Sequence, residues 1–247
     1  MNRPRKLGLF GFGAFGRLAA LQLAPYFEIL VHDPSPAARR QARRWNVRVA
    51  SLAEAAACPF VVLAAPISRL EELAREIAPH IRPRTMVFDV ASVKIHPAEW
   101  LSRLIPADAD VIGTHPLFGP QSASRGVSGL ETIICPVRTR RLKRVVAFLE
   151  RGLSLKVSVT SPDAHDRALA AVQGLTHMIG KVLAGLEPLP DEHSTPSYEA
   201  LRAAVRMVQG DSDELFLAIQ RDNPHAVALR QKFFVEIEKL KARLDPT

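Results

Sequence analysis

With 247 residues, 47% of them hydrophobic, the chain has the material for one large or two modest domains with a substantial core, which excludes a disordered or fibrous protein. The net charge of +8 raises the question of nucleic acid, but the basic runs "ARRQARRW" (38–45) and "RTRRLKR" (138–144) have a helical outline without interleaved aromatics, so solvated helix faces are expected. Cys58 and Cys135 stand far apart, which excludes a disulfide framework and a metal site and suits reduced core thiols in a cytoplasmic protein.

The opening "MNRPRKLGLFGFGAFG" has the basic-then-apolar outline of a signal peptide, yet glycines interrupt it and no small-residue cleavage site follows. No apolar run is long enough to cross a bilayer, so neither a membrane nor a nucleic-acid partner is expected. From residue 6 to about 160, short β-rich apolar runs alternate with segments of helical period. The runs are KLGLFG (6–11), FEILVHD (27–33), FVVLAA (60–65), TMVFDV (85–90), ADVIGTH (109–115), ETIICP (131–136) and LKVSVT (155–160). Runs apolar on both sides, separated by helices, indicate parallel crossovers and a sheet covered on both faces. The expected class is α/β, a Rossmann-type doubly wound and mainly parallel sheet over residues 1–160.

After "TSPD" the strand signal stops. Ser161 and Pro162 read as N-cap and first turn of one long helix through "AHDRALAAVQGLTHMIGKVLAGL". "EPLPDEHSTPS" (187–197) is a loop by its three prolines, and helices near 197–209, 211–221 and 224–244 complete an all-helical domain over 161–247. The first of these helices is small and apolar around much of its circumference, which points to burial against a second subunit and a homodimer. No strand-rich regulatory segment follows the helices.

"GLFGFGAFG" places Gly11, Gly13 and Gly16 in the spacing G-x-G-x-x-G after a strand, with a helix opening at Ala14 and Phe15. Asp33 ends the next strand, 22 residues after Gly11. In that context the motif signals a dinucleotide: a tight turn at Gly11, backbone approach to a pyrophosphate at Gly13, and helix-on-strand packing at Gly16. Asp33 can accept from both ribose hydroxyls and repels a 2'-phosphate, which favours NAD, whereas Arg39 and Arg40 keep NADP open.

Loops at the carboxyl ends of other strands border the same crevice. They are "AAPIS" with Ala65 and Pro66, "DVASVK" with Ser92 and Lys94, and "GTHPLFGP" with His115. Each residue type also has a plainer role: Ser92 as a helix cap, Lys94 as a surface charge, His115 as a hydrogen-bonded structural histidine. His115 gains weight from standing at a strand end on the ligand side, beside a proline.

"GFGAFG", "DVASVK", "GTHPLFGP" and "HDRALAAVQGLTH", in this order, resemble the prephenate and arogenate dehydrogenase family, especially the short forms similar to plant arogenate dehydrogenases. The resemblance spans nearly the whole chain. It implies NAD(P)-dependent oxidative decarboxylation of a cyclohexadienol in tyrosine biosynthesis, by a nucleotide-binding domain followed by a helical dimerisation domain. It implies that His115 is the base that accepts the substrate hydroxyl proton, as an imidazole with an unperturbed pKa of about 6.5 can. Ser92 would orient the histidine or that hydroxyl.

A dicarboxylate substrate needs cations, and Arg202 and Arg206 lie four apart on one helix face in "YEALRAAVRMV", although an exposed basic face reads the same way. Matching to the family's carboxylate-binding arginine favours Arg206. His177 matches a family histidine near the substrate, with a buried structural histidine as the alternative. Asp211, in "QGDSDELF", matches an aspartate associated with arogenate preference, so arogenate is slightly favoured over prephenate; it and Asp213 also suit a helix cap. Two other readings stand beside this one. A β-hydroxyacid dehydrogenase would use a lysine such as Lys181, but it usually carries an Asn four residues on, where this chain has Gly185. An NAD-binding regulatory protein without turnover has no need for Ser92 and His115.

Overall fold

The computed structural model describes residues 5–186 and 193–245. The chain divides into two compact units, Met1–Pro162 and Asp163–Thr247. In the first, eight strands, β1 (Arg5–Phe10), β2 (Phe27–His32), β3 (Arg48–Val49), β4 (Phe60–Leu63), β5 (Met86–Asp89), β6 (Asp110–Pro116), β7 (Glu131–Arg138) and β8 (Lys156–Val159), form one sheet of order β3-β2-β1-β4-β5-β6-β7-β8. The helices between them are α1 (Ala14–Leu23), α2 (Pro36–Arg44), α3 (Leu52–Ala56), α4 (Ile67–Ile77), α5 (Ile95–Leu104) and α6 (Leu142–Gly152).

Alternation along each strand feeds two cores, as a sheet covered on both faces requires. Leu7, Leu9, Ile29 and Val31 pack with Ala20 of α1 and Ala42 of α2 on one face. Phe10, Leu30, Leu63, Val87 and Val111 pack with α3, α4 and α5 through Ala55, Leu70, Ile77 and Leu101 on the other. Chain direction along the sheet reverses between β1 and β4, which places the crevice of a doubly wound fold at the carboxyl ends of these two strands.

Two features depart from the expected strand pattern. β3 spans only two residues, too short for an alternation signal, and is delivered by a turn with Asn46 at φ 55°. β7 runs antiparallel to β6, not parallel, because residues 117–130 join them without a crossover helix. The basic run 138–144 is also not a solvated helix face throughout. Arg138 ends β7 and its guanidinium donates to the carbonyls of Ser102, Ile105, Pro106 and Ala109. Arg141 pairs with Asp110 and donates to the Arg84 carbonyl.

The second unit is helical among its described residues: α7 (Pro162–Leu169), α8 (Thr176–Ala184), α9 (Pro196–Gln209), α10 (Asp213–Leu217) and α11 (Pro224–Leu244). The expected long first helix is continuous, but residues 170–175 widen into a π-segment between α7 and α8, and a second π-segment, 218–222, follows α10. The starts follow proline and cap chemistry: Thr195 accepts from the Tyr198 N–H ahead of Pro196, and Asn223 accepts from the His225 N–H ahead of Pro224. Ser212, not Asp211, caps α10. Of the expected 187–197 loop, residues 187–192 lie outside those described.

Candidate active site

The glycine turn is built as its spacing requires. Gly11 sits at φ 97°, open to glycine at little cost, and a Cβ there would stand 2.5 Å from the Ala64 carbonyl oxygen. A Cβ on Gly16 would stand 2.1 Å from the Gly11 carbonyl oxygen, so α1 can approach β1 only because that side chain is missing. Gly13, the residue before α1, has no protein atom within 4 Å of its Cβ position, and no side chain caps the helix there. The helix N-terminus therefore presents uncapped N–H groups toward open space, the arrangement an anionic pyrophosphate fits.

Asp33 is 9% exposed and holds this turn in place. One carboxylate oxygen accepts from the Phe12 N–H at 2.7 Å and the other from the Ser35 N–H at 2.8 Å. Each oxygen keeps acceptor capacity for a ribose hydroxyl. Arg39 donates to the Asp33 and Pro34 carbonyls at 3.0 and 2.7 Å, while Arg40 is exposed. Ala65 and Pro66 follow β4 at the same edge, with Pro66 at the N-cap position of α4.

Ser92 lies half-buried on the bend after β5 and does not cap α5, whose N-cap position is Lys94. Lys94 is not a surface charge: it is fully buried. Its ammonium pairs with the Asp89 carboxylate at the end of β5 and donates to the Thr114 carbonyl at 2.9 Å. The Thr114 hydroxyl in turn donates to the Asp89 carbonyl at 2.6 Å. Asp89 stands opposite Gly113 in the β5–β6 register, and a Cβ on Gly113 would lie 3.2 Å from the lysine stem. The glycine of "GTHPLFGP" thus leaves room for the lysine. These bonds tie the loop that carries Ser92 to the strand end that carries His115. His115 is itself buried, at 3% exposure, on β6 opposite Ile133. Sequence reasoning named Lys94 at the crevice, with a surface charge as its plainer role, and did not single out its partners Asp89 and Gly113; the available signal was an Asp and a Lys five apart at a strand end.

In the helical unit, α8 and α9 pack closely, since a Cβ on Gly180 would stand 2.2 Å from Val208. This contact brings His177 Nε2, one turn earlier on α8, within 3.6 Å of Oδ2 of Asp211, which follows the end of α9. Burial pushes the His177 imidazole below its usual range, against the pull of Asp211, with Lys181 adding to the depression. Burial likewise lifts the Asp211 carboxyl above the ordinary carboxylate range, opposed by His177 and Lys181. Lys181 is bound to Asp213 at 2.6 Å. Arg202 is half-buried, 3.6 Å from Glu199, and lies over the Tyr198 ring, whereas Arg206 is exposed. Among the described residues no cluster of three or more His, Cys, Asp or Glu side chains could hold a metal, and no helix is long and apolar enough to cross a membrane.

The glycine turn, Asp33 and the strand-end loops define a dinucleotide-binding domain of the doubly wound class. Residues 21–153 match the family model described as prephenate dehydrogenase, nucleotide-binding domain. Arogenate dehydrogenase 2, chloroplastic, of Arabidopsis thaliana is 30% identical over 97% of this chain and 70% of its own length. Arogenate dehydrogenase 1, chloroplastic, of the same plant is 30% identical over 98% of this chain, which spans only 40% of that protein's length. The fold is shared with a prephenate dehydrogenase from A. aeolicus crystallised with hydroxyphenyl propionate and NAD+, at a TM-score of 0.73 and 19% identity, covering 98% of this chain and 92% of that one. The chain belongs to the prephenate dehydrogenase family.

Proposed function

We propose that this chain catalyses NAD-dependent oxidative decarboxylation of arogenate or prephenate in tyrosine biosynthesis, with arogenate favoured. The observation that carries this reading is the placement of a buried His115 at the carboxyl end of β6, tied through Lys94 and Asp89 to the Ser92 loop, on the strand edge that also bears the glycine turn. NAD is preferred to NADP because Asp33 keeps its carboxylate at the ribose position, while the nearby Arg39 is committed to backbone carbonyls.

A bound nicotinamide supplies the hydride acceptor. His115 accepts the substrate hydroxyl proton as positive charge builds on the carbon that loses hydride, and Ser92 orients that hydroxyl or the imidazole. Loss of the ring carboxylate as carbon dioxide gains from aromatisation, so the protein's main task is to position the ring. Arg206, supported by Arg202, supplies the cation for a substrate carboxylate, and His177 lies with Asp211 in the substrate-binding set. Lys181, the lysine a hydroxyacid dehydrogenase would use, is bound to Asp213 instead. Formation of NADH from NAD with arogenate or prephenate tests the reading; no turnover of either with NAD or NADP overturns it.

Asp211 is the group proposed to select the arogenate ammonium over the keto group of prephenate. Asp211→Asn is expected to lower the ratio of kcat/KM for arogenate to that for prephenate by about tenfold, the worth of one charge-assisted hydrogen bond. An unchanged ratio removes Asp211 from that role.

The helical unit is proposed to form a homodimer. Val172 and Val182 along the first helix, Leu186 just past its end, and Phe234, Ile237 and Leu240 on α11 are all strongly exposed in the single chain. Large apolar side chains exposed along two helices mark an interface when they are covered by a second copy. Light scattering is expected to give twice the chain mass, falling to the monomer in a Phe234→Asp, Ile237→Asp variant; a wild-type monomer at micromolar concentration contradicts it. Cys58 and Cys135, both buried and neither in a disulfide, suit a reducing compartment.

A further inference from the structure

The sheet face that carries α1 and α6 is open over its middle strands. β6 reaches β7 through residues 117–130 without a helix, so no crossover element fills the space between α1 and α6. The result is a cavity of about 490 Å³ floored by Val62, Met86 and Phe88 and walled by Ala19 of α1 and Phe148 of α6. It lies in the volume range of about 300–1,000 Å³ that small-molecule ligands occupy. Of the glycine turn only Phe15 lines it, and neither Asp33, Ser92 nor His115 does.

One end of the cavity is cationic. Arg5, the first residue of β1, and Arg144, in the first turn of α6, both border it there and are exposed. Arg141 beside them is neutralised by Asp110, but among the described residues Arg5 and Arg144 make no side-chain hydrogen bond or ion pair. β5 crosses the floor over Met86–Asp89, so the apolar slot runs for roughly 13 Å at the rise of a strand. A docked protein would have to bury about 800 Å² on each partner, which a slot of this size does not provide.

We propose that this cavity binds a free monoanionic amphiphile, a medium-chain alkyl carboxylate, with its carboxylate held by Arg5 and Arg144 and its chain laid along β5. Forked guanidinium donors suit a carboxylate head, and the floor and walls suit a linear apolar body.

Calorimetric titration of the full chain with decanoate below its micelle concentration tests the site without reference to turnover. Saturable binding of one decanoate per chain is expected, with decanol and decyltrimethylammonium at least about tenfold weaker. Arg5→Glu with Arg144→Glu is expected to weaken decanoate by at least about tenfold. Ala19→Trp, which fills the slot from α1, is expected to abolish binding with circular dichroism unchanged; Val62→Phe fills it from the floor if the first variant does not fold. The proposal fails if the folded wild type shows no saturable decanoate binding, if the three amphiphiles bind alike, if the charge reversals leave Kd unchanged, or if a folded filled variant still binds. It fails equally if Ala19→Trp changes the mass measured by light scattering, which would make a second copy the occupant.

Discussion

His115→Asn is expected to lower kcat for arogenate or prephenate by about a hundredfold to ten-thousandfold, the usual worth of a positioned general base. Asparagine keeps a polar side chain of similar reach but cannot accept the proton that must leave as hydride departs. The dinucleotide turn and Asp33 follow β1 and β2, which β4 and β5 separate from β6, so the Kd for NAD measured by titration should stay within about twofold of wild type. KM should also change little, because the group acts on charge that develops only in the transition state. A kcat within threefold of wild type would move the base elsewhere and leave His115 a structural histidine.

Lys94→Met is expected to cost about 3–5 kcal/mol of stability, because it leaves the Asp89 carboxylate buried without its ammonium. For a chain of this size that corresponds to a fall in Tm of roughly 6–20 °C by calorimetry. Asp89→Asn combined with Lys94→Met removes both charges together and should recover much of the loss, as replacement of a whole buried pair often does. The double variant should stay impaired in kcat even where its Tm is recovered, since the Thr114 carbonyl beside His115 has lost its charged donor. A recovered Tm together with wild-type kcat would make the ion pair purely structural. A single variant with unchanged Tm would mean that the pair contributes nothing to folding.

Legibility of the site followed the range of the interactions that make each part. The glycine turn could be read because its geometry is set within a few residues: positive φ at Gly11 and close approach at Gly16 are local demands that only glycine meets. Asp33 could be read because strand length and chain direction fix its distance from that turn. The burial of Lys94 could not, since it depends on Asp89 at the end of one strand and the Thr114 carbonyl on the next. Without those partners a lysine in a loop reads as a surface charge. The contact of His177 with Asp211 was equally hidden, because it depends on α8 meeting α9 at Gly180 and Val208. The helix cap that stood as the alternative role for Asp211 is held by Ser212.

By itself the sequence determined the alternation of strands and helices, the carboxyl-end loops, the helix starts at Pro162 and Pro224, and the change to an all-helical second unit. Each follows from periodicity or cap chemistry, which act between neighbours along the chain. Only the tertiary structure decided the antiparallel entry of β7, the two-residue β3, the buried pairing of Lys94 with Asp89, and the open slot between α1 and α6. Apolar period is the same for parallel and antiparallel strands, and a charge is buried or exposed according to which distant groups come to meet it.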